Sequence, residues 1–336
     1  MQKVNLNKLG KVLITGASGF VGSSLVKKLV KNGLNVRAMD NNIRGNVKRL
    51  KSVMSNIEFI EGDVTSLDDC IKSAKGIDTL IHLAAINGTE NFYKIPDKVL
   101  EVGIMGAFNT IKASKLCGVK NYLVTSSSEV YQEPTKIPTD ESERMIIPDI
   151  NNPRFSYSIS KIVSEAVVLN NKSKGLKKII CRPHNFYGPD MGLAHVIPQF
   201  ILRMKELSNN FRINSIDFPI QGTGKETRSF CYIDDGLNGL IQSILNGKDR
   251  EIYHIGTQKE FKIEQIAKLI AKLLNLDLNI TYGEKLHGST SKRCPDIGKI
   301  SKIGYKPQYE IEQGLKHTID WYLNEEIEKN NGNIIR

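Results

Sequence analysis

Short apolar runs alternate with amphipathic stretches through the first half of the chain, and this rhythm sets the order of its elements. Val12-Leu13-Ile14, Val36 to Met39, Ile57 to Glu61, Thr79 to His82 and Tyr122 to Thr125 are each bounded by polar or glycine positions. That is the pattern of strands buried in a parallel sheet. Phe20 to Lys31 carries apolar residues at helical spacing and is closed by Gly33 as a C-cap, and a second helical pattern runs from Tyr157 to Asn170. The alternation continues to about Arg182 and predicts a doubly wound parallel sheet. After Pro183 the rhythm changes. It predicts a helix from about Val196 to Glu206, an extended pair around Phe218-Pro219-Ile220 and Ser229 to Tyr232, and a helix from Asp234 to Leu245. A strand at Ile252 to Ile255, a helix from Ile263 to Leu274 and a terminal amphipathic helix from Ile311 to about Glu328 follow, with a polar, frayed end from Asn330 to Arg336.

The link between the first strand and the first helix is the run Thr15-Gly16-Ala17-Ser18-Gly19-Phe20-Val21-Gly22. Gly16 permits a sharp turn, Gly19 lets backbone N–H groups approach a pyrophosphate at the positive end of the helix that Phe20 and Val21 open, and Gly22 lets that helix lie close to the sheet. The spacing is G-x-x-G-x-x-G rather than the G-x-G-x-x-G of the ordinary dinucleotide fingerprint. Asp40, followed by Asn41, ends the second strand about 20 residues beyond the turn, where a carboxylate accepts hydrogen bonds from ribose hydroxyls and repels a 2′-phosphate. The expected cofactor is therefore NAD, with Arg37 and Arg44 nearby as the feature that would favour NADP. Asp63-Val64 and Leu83-Ala84-Ala85 follow the third and fourth strands and line the same crevice. The expected fold is α/β, a Rossmann-type doubly wound parallel sheet with a smaller C-terminal α/β substrate lobe. Residues 1–182 form the NAD-binding domain and 183–330 mainly the lobe, some segments returning to the sheet.

With 336 residues, 40% hydrophobic and 25% charged, the chain can bury a large core. No apolar run reaches a membrane span and Met1 to Gly10 lacks an apolar targeting segment, so a cytoplasmic protein without membrane contact is expected. Five cysteines, Cys70, Cys117, Cys181, Cys231 and Cys294, lack metal spacing and read as reduced thiols, so no metal site is expected. The charge of +11 comes from lysines scattered over helix faces without interleaved aromatics, which argues against nucleic acid and fits anionic small ligands.

Tyr157 and Lys161, four apart at the start of a helical pattern, share one face. An ammonium there would lower the phenol's pKa and could also hydrogen-bond the nicotinamide ribose, making Tyr157 an acid or base near neutral pH. Ser127, beyond the strand ending at Thr125, would polarise a substrate oxygen from the other side. His184 and His195 read as packed or solvated residues.

The chain resembles the extended short-chain dehydrogenase/reductases that act as nucleotide-sugar epimerases and dehydratases. The resemblance rests on the glycine loop, Thr125-Ser126-Ser127-Ser128-Glu129-Val130-Tyr131, Tyr157-x-x-x-Lys161, Arg182-Pro183-His184-Asn185-Phe186-Tyr187-Gly188-Pro189, Thr227-Arg228-Ser229-Phe230 and Arg293-Cys294-Pro295-Asp296. It implies tightly held NAD with Pro183 beside it, oxidation of a nucleoside-diphosphate sugar at C4, and later return of the hydride. It places Asn185, Arg228 and Arg293 on the diphosphate and Asp296 on the nucleoside ribose, and it implies a homodimer paired through helices at about Val99 to Cys117 and Tyr157 to Asn170. Two positions depart from the family pattern: Gly103 where an asparagine is usual, and Gln132 where a glycine commonly follows Val-Tyr.

Ser127, Ser128 and Glu129 extend the candidate catalytic set. In a 4,6-dehydratase a carboxylate at Glu129 would remove the C5 proton while the C6 hydroxyl departs. That reading is placed first, ahead of a 4-epimerase and of a uronate decarboxylase, which Pro153-Arg154-Phe155 also resembles. A nonenzymatic NAD-binding regulator on the same scaffold is the alternative of a different class.

Overall fold

The computed structural model describes residues 5–193, 195–284 and 290–324. The opening elements follow the apolar rhythm: β1 (Val12–Thr15), α1 (Phe20–Lys31), β2 (Val36–Asp40), β3 (Ile57–Glu61), α2 (Leu67–Ala74), β4 (Thr79–His82), α3 (Thr89–Lys94), α4 (Pro96–Leu116), β5 (Asn121–Thr125), α5 (Ser156–Asn170) and β6 (Lys177–Pro183). Every residue of β1, β2 and β4 is buried, which explains why they read as short, mainly apolar runs without strict alternation. Then come β7 (Phe186–Tyr187), α6 (Val196–Leu207), β8 (Ser215–Ile220), β9 (Thr227–Ser229), β10 (Cys231–Tyr232), α7 (Ile233–Asn246), β11 (Glu251–Ile255), β12 (Glu260–Lys262), α8 (Ile263–Leu274), β13 (Asp277–Tyr282), β14 (Lys292–Arg293), α9 (Gly298–Ser301) and α10 (Ile311–Asn324).

The main sheet has seven parallel strands in the order β11-β6-β5-β4-β1-β2-β3. The order reverses at β1, and at such a switch point the crevice beyond the strand ends is the place for a ligand. β11 comes from the second half of the chain, so the polypeptide returns to the sheet after building the smaller strands. The expected extended pair is corrected here. β8 and β9 both exist, but β8 lies parallel to β13, whereas β9 sits between β12 and β14 in a separate three-stranded sheet. Alternating burial along β8 gives it one face to pack, and pairing β9 with β14 sets Arg228 beside Arg293. The remainder of the terminal helix expected to about Glu328, and the end from Asn330 to Arg336, lie outside the described residues.

At Gly103 a Cβ would stand 2.5 Å from Ser160 Oγ, and Ser164 Oγ donates to the Gly103 carbonyl at 3.0 Å. The missing side chain thus lets α4 lie against the helix that carries Tyr157 and Lys161. Gln132 occupies a left-handed backbone (φ 54°) that favours glycine, and its side-chain amide donates to the Glu129 carbonyl at 2.6 Å. The loop therefore turns without the glycine.

Candidate active site

A cavity of about 420 Å³ opens at the C-terminal ends of β1, β2, β3 and β4. Its wall includes Gly16, Gly19, Phe20, Val21 and Gly22 from the first turn, then Asp40, Asn41, Asp63, Val64, Leu83, Ala84 and Ala85. Gly16 turns with φ 71°, and a Cβ on Gly22 would lie 2.0 Å from the Gly16 carbonyl oxygen, so any larger residue there would break the loop. Pro183 ends β6 in register with Ile255 and is not part of this wall.

Several features of the cavity fit a dinucleotide. Asp40 accepts from the backbone N–H groups of Ser18 and Asn42, each at 2.9 Å, and a carboxylate with about four lone-pair sites keeps capacity for ribose hydroxyls. Arg37 turns away: it donates to the Ser73 and Lys75 carbonyls at 2.6 and 2.7 Å and pairs with Glu58 at 2.8 Å, which leaves it no reach to a 2′-phosphate. Gly19 caps α1 without any side-chain hydrogen bond, so the helix N-terminus is open to an anion. The Ser126 hydroxyl and Arg44 Nε are buried without a hydrogen-bond partner.

Tyr157 is buried in the first turn of α5, its ring stacked on Phe92 with centroids 5.2 Å apart. It hydrogen-bonds Ser127, whose hydroxyl also accepts from the Glu129 N–H at 3.1 Å. Lys161 Nζ lies 5.5 Å from the Tyr157 ring centroid and donates to the Thr125 carbonyl at 2.8 Å. The expected lowering of the phenol's pKa is not what this geometry gives. Burial and then the Glu129 carboxylate push Tyr157 up to about 12, against a smaller pull from Ser127 and Arg44. The buried Lys161 is itself brought down to about 8, with Glu165 opposing. Ser128 opens a short 3₁₀ turn, Ser128–Tyr131, and is buried.

Glu129 stands at the centre of a cationic group. Arg293 Nη1 donates to its Oε1 at 2.5 Å, and Arg154 and Arg228 act on it at longer range. Burial alone would raise the carboxyl's pKa, but the three arginines outweigh it and hold Glu129 below the usual carboxylate range. Arg293 also donates to the buried Thr290 hydroxyl at 2.9 Å, and Arg228 donates to the Thr227 and Thr290 carbonyls at 2.8 and 2.7 Å. Burial and the neighbouring Arg293 bring Arg228 down to about 10.

Of the other expected substrate residues, Asn185 donates to the Ser229 carbonyl at 3.2 Å and so ties its loop to β9. Asp296 accepts from the Gly298 N–H at 2.7 Å, just ahead of the short α9. His184 is buried against His254 (centroids 4.8 Å apart), and burial holds both rings neutral. His195 lines the dinucleotide cavity. Sequence reading missed Thr290, which carries no motif, gave Arg154 no place in the site although it sits in the quoted Pro-Arg-Phe run, and took Arg44 only as a feature that would favour NADP. Beneath the site Arg182 grips Glu165 with Nε at 2.8 Å and Nη2 at 2.6 Å and donates to the Tyr131 hydroxyl, which meets His254 Nε2 at 2.6 Å.

A doubly wound sheet with a glycine turn, a ribose carboxylate and a Ser-Tyr-Lys group at its strand ends defines a dinucleotide-dependent enzyme of the short-chain dehydrogenase type. Residues 12–256 match the profile of the NAD dependent epimerase/dehydratase family. The chain is 32% identical over 322 residues to a UDP-N-acetyl-alpha-D-glucosaminuronate decarboxylase of Bacillus cytotoxicus, covering 93% of this chain and 97% of that protein. The crystal structure of UDP-glucose 4-epimerase from Thermotoga maritima with UDP-glucose superposes with a TM-score of 0.82 at 27% identity, over 93% of this chain and 98% of that one. A dTDP-glucose 4,6-dehydratase from Streptomyces venezuelae, solved with NAD bound, gives a TM-score of 0.82 at 25% identity, over 93% and 97%. The chain belongs to the NAD-dependent epimerase/dehydratase family and is an NAD-dependent enzyme of nucleotide-sugar chemistry. Among the described residues no helix is long and apolar enough to cross a membrane.

Proposed function

We propose that this enzyme decarboxylates a nucleoside-diphosphate hexuronate, in place of the dehydration placed first from the sequence. The observation that carries the reading is the ion pair of Glu129 with Arg293 inside a group of three arginines. A general base works best with a pKa near the operating pH. A carboxylate held ionised and engaged by a guanidinium at 2.5 Å is poorly suited to removing a C5 proton. Three guanidinium groups gathered around Glu129 suit a substrate with an anionic C6 carboxylate in addition to its diphosphate.

The chemistry needs no base at C5. NAD held by the glycine loop and Asp40 would supply the hydride acceptor, and later the donor, at C4, and its positive charge would favour the phenolate. Tyr157, bonded to Ser127, takes the O4 proton as C4 becomes a ketone, and Lys161 holds its ammonium beneath the ring. The C6 carboxylate is then part of a β-keto acid. Its C5–C6 bond breaks, carbon dioxide leaves, and the electron pair forms the C4–C5 enolate, which takes a proton from water at C5. Once C4 is reduced again, the phenol returns its proton to O4. Glu129 fixes Arg293, and its negative charge beside the substrate carboxylate favours departure of that group as a neutral molecule.

On this reading Asp40 and the glycine loop hold the dinucleotide, and Asn185, Arg228, Arg293 and Asp296 face the nucleotide sugar. Residues 1–182 mainly bind cofactor, and 183–330 mainly bind substrate. The enzyme works as a cytoplasmic homodimer. All five cysteines are free, and Met105, Phe108 and Leu116 of α4 are 42%, 49% and 60% exposed, an apolar stripe that a symmetry mate would cover. Light scattering at micromolar concentration reads the dimer, and a stable monomer would refute it.

Mass spectrometry of purified protein with a nucleoside-diphosphate hexuronate, and separately with the neutral hexose, tests the reaction. Loss of carbon dioxide from the uronate is expected. Loss of water from the hexose would restore the dehydratase, and a new isomer of unchanged mass would favour the epimerase.

A further inference from the structure

Three side chains that are cationic at neutral pH line the dinucleotide cavity among the described residues, and two are already neutralised. Lys98 pairs with Glu101 at 2.7 Å, and Arg49 grips both oxygens of Asp190 at 2.8 Å. Arg44 has no carboxylate partner among the described residues, and its Nε is buried without a hydrogen-bond partner. Its place in the chain is the loop just beyond Asp40, on the ribose side of the cavity. Its head, however, reaches the loop beyond β4: Nη2 lies 3.8 Å from where a Cβ on Gly88 would stand, and its charge acts on both Tyr157 and His195. The side chain therefore runs from the loop beyond β2 to the loop beyond β4, the strands that flank β1 and its glycine turn.

A partly buried guanidinium without a counter-ion is costly, and arginine does not escape by losing its proton. Such a group persists where an anion completes it. The dinucleotide carries its negative charge on the pyrophosphate, and the open N-terminus of α1 offers backbone N–H groups from the other side. We infer that Arg44 is a pyrophosphate-binding residue of this enzyme, closing from the far wall the anion site that the glycine loop opens. The guanidinium fork matches two phosphate oxygens, a task that neither Lys98 nor Arg49 is free to perform.

The test is calorimetric titration of the full chain with NAD, ADP-ribose and adenosine, none of which requires turnover, so the outcome is independent of the decarboxylation reading. Arg44→Ala should weaken NAD and ADP-ribose by about 10–100-fold, the scale of one charged hydrogen-bonded contact, and leave adenosine affinity unchanged. Unchanged adenosine binding also shows that the pocket is folded. Arg44→Lys, a point charge without the fork, should recover part of the loss. An equal loss for adenosine would mean that Arg44 shapes the loop around the base and ribose, and would overturn the inference. Unchanged affinity for all three ligands, with a shifted pH profile of turnover, would assign Arg44 to Tyr157 and overturn it too.

Discussion

The two halves of the active site are built by different means. On the cofactor side most of the wall comes from successive strand ends within residues 16–87, and its carboxylates are held by partners no more than 22 positions away: Asp40 by Ser18 and Asn42, Asp63 by Thr65 and Asn41. On the substrate side the decisive contact joins Glu129 to Arg293, 164 positions apart, and the two arginine strands β9 and β14 are held by Thr290. The cofactor half is thus fixed by local turn geometry that tolerates little change. The reaction half is set by a few long-range side chains that can be exchanged without touching the sheet. This accounts for one scaffold hosting relatives named for epimerisation, dehydration and decarboxylation.

Four measurements would break or sharpen that division. The largest effect belongs to the residue where the halves meet. Tyr157→Phe keeps the ring that stacks on Phe92 but removes the proton carrier, so sugar oxidation should fall by about 10²–10⁴-fold while calorimetry shows unchanged NAD affinity. Loss of NAD along with activity would show that the halves are not separable there.

Next comes the floor of the site. Glu165 and Arg182 are 1% and 2% exposed, and removing one partner leaves a buried charge unpaired. Glu165→Gln should cost about 3–5 kcal/mol in denaturant unfolding. Because Arg182 also supports Tyr131 behind the Glu129 turn, the folded variant should lose substrate affinity before NAD affinity. The reverse order would place the pair under the cofactor half instead.

The same contrast explains what could be read from the chain. Strand ends from Gly16 to Ala85 follow one another at short range, so spacing and apolar rhythm were enough to place them along one cavity. The partners of Glu129 were not legible, because nothing local in Ser127-Ser128-Glu129 specifies an arginine 164 positions on. The sequence also invited pairing β8 with β9, since the two are neighbours in the chain, yet each pairs with strands from beyond residue 259. Tyr157 and Lys161 were correctly put on one helix, but burial, which no spacing reports, reversed the direction of the phenol's shift.

A smaller effect is expected at Glu129 itself. Glu129→Gln removes the charge that fixes Arg293 but keeps the side chain's size, so turnover of the hexuronate should slow by about 10–100-fold with NAD affinity intact. In single turnover, reduced cofactor should persist while carbon dioxide release lags. Full turnover without that lag would remove Glu129 from the reaction half.

The smallest effect is a titration. Before the cofactor's positive charge acts on it, Tyr157, pushed up to about 12, titrates above the usual assay range, whereas Lys161, brought down to about 8, titrates within it. Lys161 is an ammonium below that value and an amine above it, so kcat/KM should hold to near pH 8 and then fall by about tenfold per further unit as the donor beneath the phenol is lost. Stability from the same group should run the other way. Its folded pKa lies below the 10.5 of the unfolded chain, so between about 8 and 10.5 the unfolded state binds more protons and folding gains as pH rises. Lys161→Met should remove that gain. Paired pH profiles of kcat/KM and of denaturant midpoint, for wild type and variant, check both signs. Activity that stays flat to pH 10, or a stability slope that persists without Lys161, would show that the ammonium is not the group linking the phenol to the cofactor half.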